Sequence, residues 1–277
     1  MRKPSGETDA KAQSLRRMRI REEALAYGYV AIDVLAPVLG VSAMTVHRDL
    51  DALAAEGWVL KVRGGARIHP AALLDTTVRS RAERNQAEKS AIAAQALTHV
   101  QQGHVVFLDE STSASAMLQS LPQRGPLTVI TNSLPAIVRL SGAPGIEIIS
   151  TGGTYRHGYD AFFGMIASDA ALRLQSDIVF MSTTAIDRGQ CCHKSEETVQ
   201  FKRALIDSSA FKVLLADHSK FGLRALHRLA PVSAFDLIIV DDAVPDADLD
   251  ALRTLGIAVE VAPALESAQS PMRSRVG

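Results

Sequence analysis

The sequence predicts an α/β chain in two parts: an N-terminal winged helix-turn-helix, then a domain built on a mostly parallel β-sheet. Residues 20–68 read as helix, helix, three-residue turn, helix and a glycine-tipped hairpin. From Glu88 onward, short apolar runs alternate with helical segments, which is typical of a parallel sheet with crossover helices. We therefore expect a first domain over residues 13–70 and a second over residues 88–262.

The helix-turn-helix is indicated by its caps and its apolar spacing. Apolar residues recur at helical spacing before Gly40, which supplies the positive φ at which many helices end. Ser42 then stands as the N-cap of the next helix, because its hydroxyl can accept a hydrogen bond from a backbone N–H of the first turn. That helix, predicted from Ala43 to Glu56, is amphipathic. Its inward-facing side chains are Val46, Leu50 and Leu53.

The second helix of this motif has the chemistry of a DNA-recognition helix. Its exposed first turns combine small, hydrogen-bonding and cationic side chains, which suit base edges and phosphates in a major groove. The following hairpin carries cations near its tip, Arg63-Gly64-Gly65. Residues 1–70 hold 11 Lys and Arg against 8 Asp and Glu, whereas the rest of the chain holds 19 against 22. The predicted DNA-binding residues are Ser42, Ala43, Met44, Thr45, His47, Arg48, Lys61, Arg63 and Arg67.

Length and composition restrict the number of domains and the cellular location that we expect. The chain has 277 residues, 47% of them apolar and 22% charged, which is enough core for about two domains. It contains no signal-like stretch and no apolar run long enough to cross a membrane, and its two cysteines, Cys191 and Cys192, are adjacent, so we expect a cytoplasmic protein. Residues 1–12 and 263–277 read as flexible tails and residues 71–87 as a charged linker.

The elements of the second domain follow from its alternating pattern. Strands are predicted at residues 104–109, 127–132, 146–150, 177–183, 212–217 and 237–242. Helices are predicted at residues 90–100, 114–121, 134–140, 162–175 and 196–209, with a final helix and strand ending near Val261.

Polar loops follow five of these strands. Because the carboxyl ends of parallel strands meet at one edge of a sheet, the hydroxyls, carboxylates and glycines of these loops should converge on one rim. Any one such loop is ordinary, but five on one rim predict a ligand pocket. The loops are Asp109–Ser113, Thr131–Ser133, Thr151–Thr154, Thr183–Asp187 and Asp217–Lys220.

These motifs resemble a known family. The run VSAMTVHRDLDALAAEGWVLKVRGGA resembles the N-terminal domain of the DeoR family of bacterial transcriptional regulators, with its Thr-Ile/Val-Arg-Arg-Asp-Leu helix and Gly-Gly-Ala wing. The runs ERNQAEKSAIA, VVFLDESTS, LTVITNS, IISTGGTYR, DIVFMSTTAID and LLADHSKFG are similar to the family's sugar-phosphate sensor, itself similar to ribose-5-phosphate isomerase. His47 stands where the family usually has an arginine, which puts the operator sequence in doubt but not the binding mode.

The resemblance implies a regulator, most simply a repressor of a carbohydrate operon, whose DNA affinity is modulated by a phosphorylated sugar. It further implies homo-oligomers, which place two recognition helices in successive major grooves of operator DNA, and neither catalysis, cofactor nor metal. Coupling between effector and DNA is typically about 1–3 kcal/mol. The identity of the sugar, the operator and the choice between repressor and activator are not encoded in these motifs.

Roles carried over from the family assign the effector site. Ser111, Thr112 and Ser113 would hold the phosphate with backbone N–H groups, and Lys220 would supply a cation. Glu110 replaces a small residue; a carboxylate repels a phosphate, so Glu110 should point away unless the effector differs. The other implied residues are the pocket-lining Gly152 and Gly153, the hydroxyl-binding Asn132, Asp109 and Asp187, and Glu197 and Lys202 at the rim.

Two other functions stay open on the sequence. A sugar-phosphate isomerase with an appended DNA reader would need a carboxylate base over the substrate, recruited from residues such as Asp109, Asp187 or Glu197. Alternatively, the protein is an activator or an architectural DNA binder whose second domain only forms oligomers. The run Cys191-Cys192-His193 invites a metal, but adjacent ligands have poor geometry; we expect a solvent-near loop with one semi-buried cysteine.

Overall fold

A boundary between Arg84 and Asn85 divides the chain into two units, Met1–Arg84 and Asn85–Gly277. The computed structural model describes residues 13–21, 23–24, 28–69 and 78–265. In the N-terminal unit the elements are α1 (residues 13–21 and 23–24), β1 (Tyr29–Ala31), α2 (Ile32–Leu39), α3 (Ala43–Ala55), β2 (Val59–Val62), β3 (Gly65–Ile68) and α4 (Val78–Glu83).

Helices α2 and α3 form as their caps predict. Gly40 follows α2 with φ 66°, and the Ser42 hydroxyl accepts a hydrogen bond from the Thr45 N–H at 3.2 Å. The inward face of α3 is buried in a small core with Ile20 of α1 and Val59 of β2. The winged helix-turn-helix prediction is therefore confirmed for the described residues. The first helix, expected from about Gln13 to Tyr27, is described over residues 13–21 and 23–24.

The wing is a three-stranded antiparallel sheet in the order β1-β3-β2. The sequence did not indicate β1, because three residues are too few to show strand alternation. The hairpin turn is shorter than predicted: Gly65 already belongs to β3, and Arg63-Gly64 alone forms the turn. A side chain at position 65 is excluded, since a Cβ there would lie 2.1 Å from the Val30 carbonyl oxygen.

The stretch predicted as a linker contains a helix. Helix α4 occupies residues 78–83, and residues 86–87 belong to the first helix of the second unit. The linker prediction was wrong for residues 78–83 and 86–87, because arginine, glutamate and glutamine are good helix formers and a charged composition does not by itself indicate a linker. Residues 70–77, the predicted tail at 1–12 and residues 266–277 of the tail predicted at 263–277 lie outside the described residues.

The C-terminal unit is built on a seven-stranded sheet in the order β15-β14-β12-β9-β4-β5-β6, in which every neighbouring pair is parallel. The strands of this unit are β4 (Val105–Leu108), β5 (Leu127–Thr131), β6 (Ile146–Ser150), β7 (Thr154–Arg156), β8 (Ala161–Phe163), β9 (Ser176–Met181), β10 (Ala185–Asp187), β11 (Gln190–His193), β12 (Ser209–Ala216), β13 (His227–Pro231), β14 (Leu237–Asp241) and β15 (Ala258–Ala262). Its helices are α5 (Gln86–Leu97), α6 (Thr112–Ser115), α7 (Leu134–Leu140), α8 (Met165–Leu172), α9 (Glu196–Asp207) and α10 (Asp246–Thr254).

Helices cover both faces of this sheet, so its central strands are buried on both sides. In β9, the adjacent residues Val179 and Phe180 are both fully buried and belong to different apolar clusters. A strand buried on both faces reads as a continuous apolar run rather than as an alternation. This explains why the main-sheet strands could be located from the sequence, and it confirms the predicted parallel sheet.

Helix α6 is much shorter than predicted. The sequence indicated a helix over residues 114–121, but α6 spans four residues, and turns and a 3-10 helix (Leu121–Arg124) follow it. The apolar side chains Met117 and Leu118 are nevertheless buried. Burial of these side chains, rather than helical geometry, accounts for the apolar pattern of this segment.

Two small antiparallel sheets replace predicted loops. Strands β7 and β8 pair with each other, so the helix predicted from residue 162 begins only at Met165. Strands β10, β11 and β13 form the other sheet, which contains both cysteines. The expectation of a solvent-near loop was wrong: Cys191 and Cys192 are both buried, and burial raises the pKa of Cys191 to about 12.

The Gly152-Gly153 pair offers a matched test of the fold. Both glycines have positive φ, but only at Gly153 would a Cβ clash, 2.5 Å from the Phe163 carbonyl oxygen. We expect Gly152→Ala to lower the free energy of unfolding by about 1 kcal/mol and Gly153→Ala by about 3 kcal/mol. Thermal denaturation followed by circular dichroism measures both, and equal losses would contradict the packing described here.

Candidate functional site

The N-terminal end of α3 presents the predicted DNA-contacting side chains to solvent. Ala43, His47 and Arg48 are exposed, and Met44 is 63% exposed. The hydroxyls of Ser42 and Thr45 lie 2.9 Å apart, so both take part in capping the helix. The surface that α3 offers to a major groove therefore combines one apolar, one imidazole and one guanidinium side chain.

The three predicted wing cations are exposed but not equivalent. Lys61 Nζ lies 2.5 Å from Asp51 Oδ1 of the recognition helix, so its charge is partly neutralised. Arg63 in the turn and Arg67 in β3 are exposed. A phosphate could recruit Lys61 only in competition with Asp51, whereas the arginines are placed to meet a DNA backbone directly.

A buried carboxylate that the sequence did not single out tethers the recognition helix. Asp49 is fully buried, with its Oδ2 2.5 Å from Arg16 Nε and its Oδ1 3.2 Å from Arg17 Nε. Both arginines belong to α1, so the contact fixes α3 against α1 one residue after Arg48. The signal in the sequence was a charged residue on the apolar face of an amphipathic helix.

Asp49 and Asp51 form a matched pair for mutation. We expect Asp49→Ala to lower the free energy of unfolding of the N-terminal unit by about 2–3 kcal/mol, because it removes the buried carboxylate that both arginines contact. The exposed Asp51→Ala should change it by less than about 0.5 kcal/mol. Urea denaturation followed by Trp58 fluorescence reports on this unit, since Trp58 is the chain's single tryptophan. Equal losses in the two variants would show that the tether does not stabilise the fold.

In the C-terminal unit, the predicted effector loops meet at one edge of the sheet. Strands β4, β5 and β6 lie on one side of the sheet order and β9, β12, β14 and β15 on the other, so the order reverses between β4 and β9. Ligands of such folds bind at the carboxyl ends of the strands, at this reversal point. The loops beginning at Asp109 and Ser182 lie on its two sides.

Asp109 joins these two loops. Its Oδ1 accepts a hydrogen bond from the Ser111 N–H at 2.9 Å, and its Oδ2 accepts one from the Ser182 N–H at 2.8 Å. The Lys202 ammonium of α9 also donates to Oδ2. Asp109 is buried, and each of its contacts is charge-assisted. Asp109, which was predicted to bind a sugar hydroxyl, thus also holds the two loops and α9 together.

Lys202 and Glu110 lie where the sequence did not predict them. Lys202 is 1% exposed, so its predicted position at the rim was wrong. Glu110 does not point away from the site but turns inward, with its Oε1 3.1 Å from Lys202 Nζ. Burial disfavours the charged lysine, but Asp109 and Glu110 outweigh this effect and raise its pKa above the usual value.

Asn132 lies beside this charge cluster. Its Nδ2 is 3.4 Å from Glu110 Oε2 and donates to the Phe162 carbonyl oxygen at 3.1 Å. Its Oδ1 is buried and has no hydrogen-bond partner within the described residues. The hydroxyl of Thr198, one helical turn before Lys202 on α9, is also buried and also has no hydrogen-bond partner within the described residues. No motif in the sequence indicated Thr198.

The loop Ser111–Ser113 begins helix α6. The Ser111 hydroxyl caps it by accepting from the Ala114 N–H at 3.1 Å, and the Ser111 N–H is bound to Asp109. The N–H groups of residues 111–114 all lack an intrahelical carbonyl, but side chains bind those of Ser111 and Ala114, which leaves Thr112 and Ser113. A phosphate at this loop would rest on those two groups rather than on all three predicted ones.

The remaining predicted effector residues are dispersed. Gly152 adjoins open space, whereas Gly153 packs against the end of β8. Glu197 binds Arg156 through two hydrogen bonds of 2.9 Å, an ion pair between α9 and β7 that the sequence did not indicate. Asp187 ends β10 and pairs with the exposed Arg224 at 2.9 Å. The contacts of Asp187 thus link it to Arg224 rather than to the Asp109 cluster.

Another buried carboxylate, Asp217, follows β12. Asp217 Oδ1 accepts from Asn85 Nδ2 at 2.8 Å, and Lys220 Nζ lies 3.8 Å from its Oδ2. Burial opposes ionisation, but Lys220 and Lys89 lower the pKa of Asp217 well below its usual value. Lys220, predicted to meet a phosphate, therefore carries its charge next to a permanent anion.

His218 of the same loop is held by Asp241. Its Nδ1 lies 2.9 Å from Asp241 Oδ1, and this hydrogen bond raises the pKa of the half-buried imidazole above its usual value. A raised pKa stabilises the folded state at pH values below the unfolded pKa, and the contribution is lost as the pH rises through the folded pKa.

We therefore expect His218→Gln to lower the free energy of unfolding more at about pH 5.5 than at about pH 8.5, by up to about 1 kcal/mol. Urea denaturation followed by circular dichroism at both pH values measures this difference. The exposed His157→Gln is the control and should show no such dependence. A His218→Gln loss that grows towards alkaline pH would contradict the assigned contact.

Other features of the described residues restrict the site further. Two surface cavities, of about 380 and 600 Å³, lie at the opposite edge, where the strands begin; Pro126 and Gly145 line one and Asp177 and Ser209 the other. Over the same residues, no group of His, Cys, Asp or Glu side chains is arranged to hold a metal ion. No helix of this part of the chain is long and apolar enough to cross a membrane.

Taken together, a recognition helix with a wing and a parallel sheet with polar loops at its reversal point define a two-domain DNA-binding regulator. Residues 16–70 match the family model of the DeoR-like helix-turn-helix domain, and residues 84–242 match that of the DeoR C-terminal sensor domain. The chain belongs to the DeoR family. The predicted family resemblance is confirmed.

Curated relatives are similar along most of their length. The HTH-type transcriptional regulator GolR of Listeria innocua is 30% identical over 84% of this chain and 92% of its own. The glycerol-3-phosphate regulon repressor of Escherichia coli K12 is 28% identical over 84% and 93%. The L-fucose operon activator of Haemophilus influenzae is 31% identical over 79% and 88%.

Solved structures give a more distant match. Ribose 5-phosphate isomerase A of Methanocaldococcus jannaschii is 17% identical, covers 50% of this chain and 55% of its own, and has a TM-score of 0.37. At this distance the match assigns no function. Family membership therefore rests on the sequence comparisons, and the site must be judged by its own contacts.

Proposed function

We propose that this protein is a repressor of a carbohydrate operon, and that a phosphorylated sugar bound in the C-terminal unit lowers its affinity for operator DNA. The observation that carries the proposal is the presence, in one chain, of an exposed recognition helix and of a polar, buried cluster at the reversal point of a parallel sheet. Relatives named for regulating glycerol-3-phosphate and fucose operons support a carbohydrate-related role.

The DNA contacts follow from exposure and charge. Arg48 and the neighbouring Met44 and His47 face outward from α3, and Arg63 and Arg67 extend the cationic surface to the wing. Arg48 can read a guanine or bind a phosphate, and the wing arginines bind the backbone. Ser42, Ala43 and Thr45 shape the helix start, where side chains are small enough for a close approach to base edges. We propose that dimers or higher oligomers present two such helices to an operator.

The effector contacts follow from the carboxyl edge of the sheet. Asn132 and Thr198 carry buried polar atoms without a partner among the described residues, which a ligand's hydroxyl or amino groups would satisfy. The phosphate would lie at the N–H groups of Thr112 and Ser113. The inward-facing carboxylate of Glu110 would repel a phosphate from the buried cluster itself. Lys220 is paired with Asp217, and Arg156 is paired with Glu197. Either cation would bind the phosphate only by giving up its carboxylate partner.

The buried cluster favours a sensor over an isomerase. A catalytic base needs an available lone pair above the substrate carbon. Asp109 instead accepts from two backbone N–H groups and an ammonium, and Glu197 is bound by both arms of the Arg156 guanidinium. These engaged carboxylates bind and position rather than abstract a proton.

The proposal is tested by fluorescence anisotropy on the DNA upstream of the protein's own operon, at fixed salt. We expect Arg48→Ala to weaken specific binding by about 1–3 kcal/mol and Arg63→Ala to reduce the dependence of log K on log salt by about one unit. Arg253→Ala, a charge removal on α10, is the control and should change neither. A sugar phosphate should raise the dissociation constant several-fold to a hundredfold.

Two results would contradict the proposal. Wild-type affinity in the Arg48→Ala variant would remove α3 from the DNA interface. Conversion of ribose 5-phosphate to the ketose, abolished by Asp109→Asn, would show that the C-terminal unit is an enzyme.

A further inference from the structure

The buried cluster at the reversal point carries an unbalanced charge. Asp109, Glu110 and Lys202 are all buried, and two carboxylates face one ammonium. Their formal charges sum to minus one. A buried charge is costly unless a partner of opposite sign balances it.

Two other lysines of the C-terminal unit act on a different carboxylate. Lys89 and Lys220 both act on Asp217, whose pKa they lower, in the loop after β12. Lys202 contacts Asp109 and Glu110 simultaneously, so it is already shared. The excess carboxylate of this cluster is Glu110, because Asp109 also accepts the N–H groups of Ser111 and Ser182.

A hydrogen-bond acceptor without a partner stands beside Glu110. The Asn132 amide directs its Nδ2 to Glu110 and to the Phe162 carbonyl oxygen. Its Oδ1 shares a carbon atom with this Nδ2, so it belongs to the same polar cluster as the carboxylate, and it has no hydrogen-bond partner among residues 78–265. A buried carboxylate and an unpartnered amide oxygen in one cluster both accept hydrogen bonds and attract positive charge.

We propose that the effector carries a protonated amine, as in an amino sugar phosphate, and that its ammonium binds Glu110 and Asn132 Oδ1. This inference rests on the proposed function, because it specifies the class of phosphorylated sugar. A hydroxyl at this position would satisfy Asn132 but would leave the excess charge. An N-acetylated amine would bring bulk and no charge, and its amide N–H is a weaker donor to a carboxylate.

Matched ligands separate charge from shape. Isothermal titration calorimetry on the full chain compares glucosamine 6-phosphate with glucose 6-phosphate and with N-acetylglucosamine 6-phosphate, and repeats the comparison for the three galacto compounds. In at least one set, the amine should bind about tenfold more tightly than its hydroxyl and N-acetyl counterparts, the lower range for a charge-assisted hydrogen bond. The same amine should be the strongest of its set in releasing operator DNA.

A neutral, isosteric variant locates the preference. Glu110→Gln keeps the shape of the side chain, and Lys202 keeps its contact with Asp109. We expect this variant to bind the amine and the hydroxyl compound within about twofold of each other. Glu147→Gln, which removes an exposed carboxylate from β6 at the other end of the sheet, is the control and should retain the wild-type ratio.

The outcomes distinguish this inference from the proposed function. If hydroxyl and amine compounds bind equally and both release DNA, the sugar-phosphate sensor stands and the amine site is overturned. A full amine preference in Glu110→Gln also overturns it, whatever the ligand does to DNA. If none of the six compounds binds or releases DNA, the amine inference fails together with the assignment of the sugar-phosphate site.

Discussion

The Asp109 carboxylate is the constraint on which the C-terminal site depends. Its two oxygens bind the start of the loop after β4, the start of the loop after β9 and the Lys202 ammonium of α9. Strands β4 and β9 are neighbours at the point where the strand order reverses. A parallel sheet has a crevice at such a point, between the loops that follow the two strands. Because Asp109 binds both loops, this one buried side chain sets their relative positions.

The same device recurs in the N-terminal unit. Asp49 is buried behind the recognition helix and holds two arginines of α1, next to the residue that would contact DNA. In both units, therefore, a buried carboxylate holds in place the segments next to a proposed binding surface: the recognition helix in one unit and the polar loops in the other. A buried charge is costly when it loses its partner, so these ion pairs favour one arrangement of the surrounding elements. A site that must respond to a small molecule benefits from loops whose resting geometry is well defined.

Sequence reasoning located the elements better than the contacts. The helix-turn-helix followed from a glycine, a serine cap and apolar spacing, which are local signals, and the buried strands followed from continuous apolar runs. The inward turn of Glu110 and the burial of Lys202 could not be predicted, because they depend on a contact between residues 92 positions apart along the chain. The cysteine strand and the β7–β8 hairpin were missed because their three- and four-residue strands show little alternation, and the cysteine strand β11 also pairs with the distant β13.

The central claim is that the ligand of this regulator binds at the carboxyl edge of the sheet. Hydrogen exchange of the full chain, followed by mass spectrometry with and without a saturating sugar phosphate, tests it most directly. The account predicts slower exchange in peptides covering residues 109–113, 131–133 and 182–184. Protection confined to the opposite edge, in peptides around Gly103 and residues 126–128 and 145–147, would place the ligand in the cavity there and contradict the account.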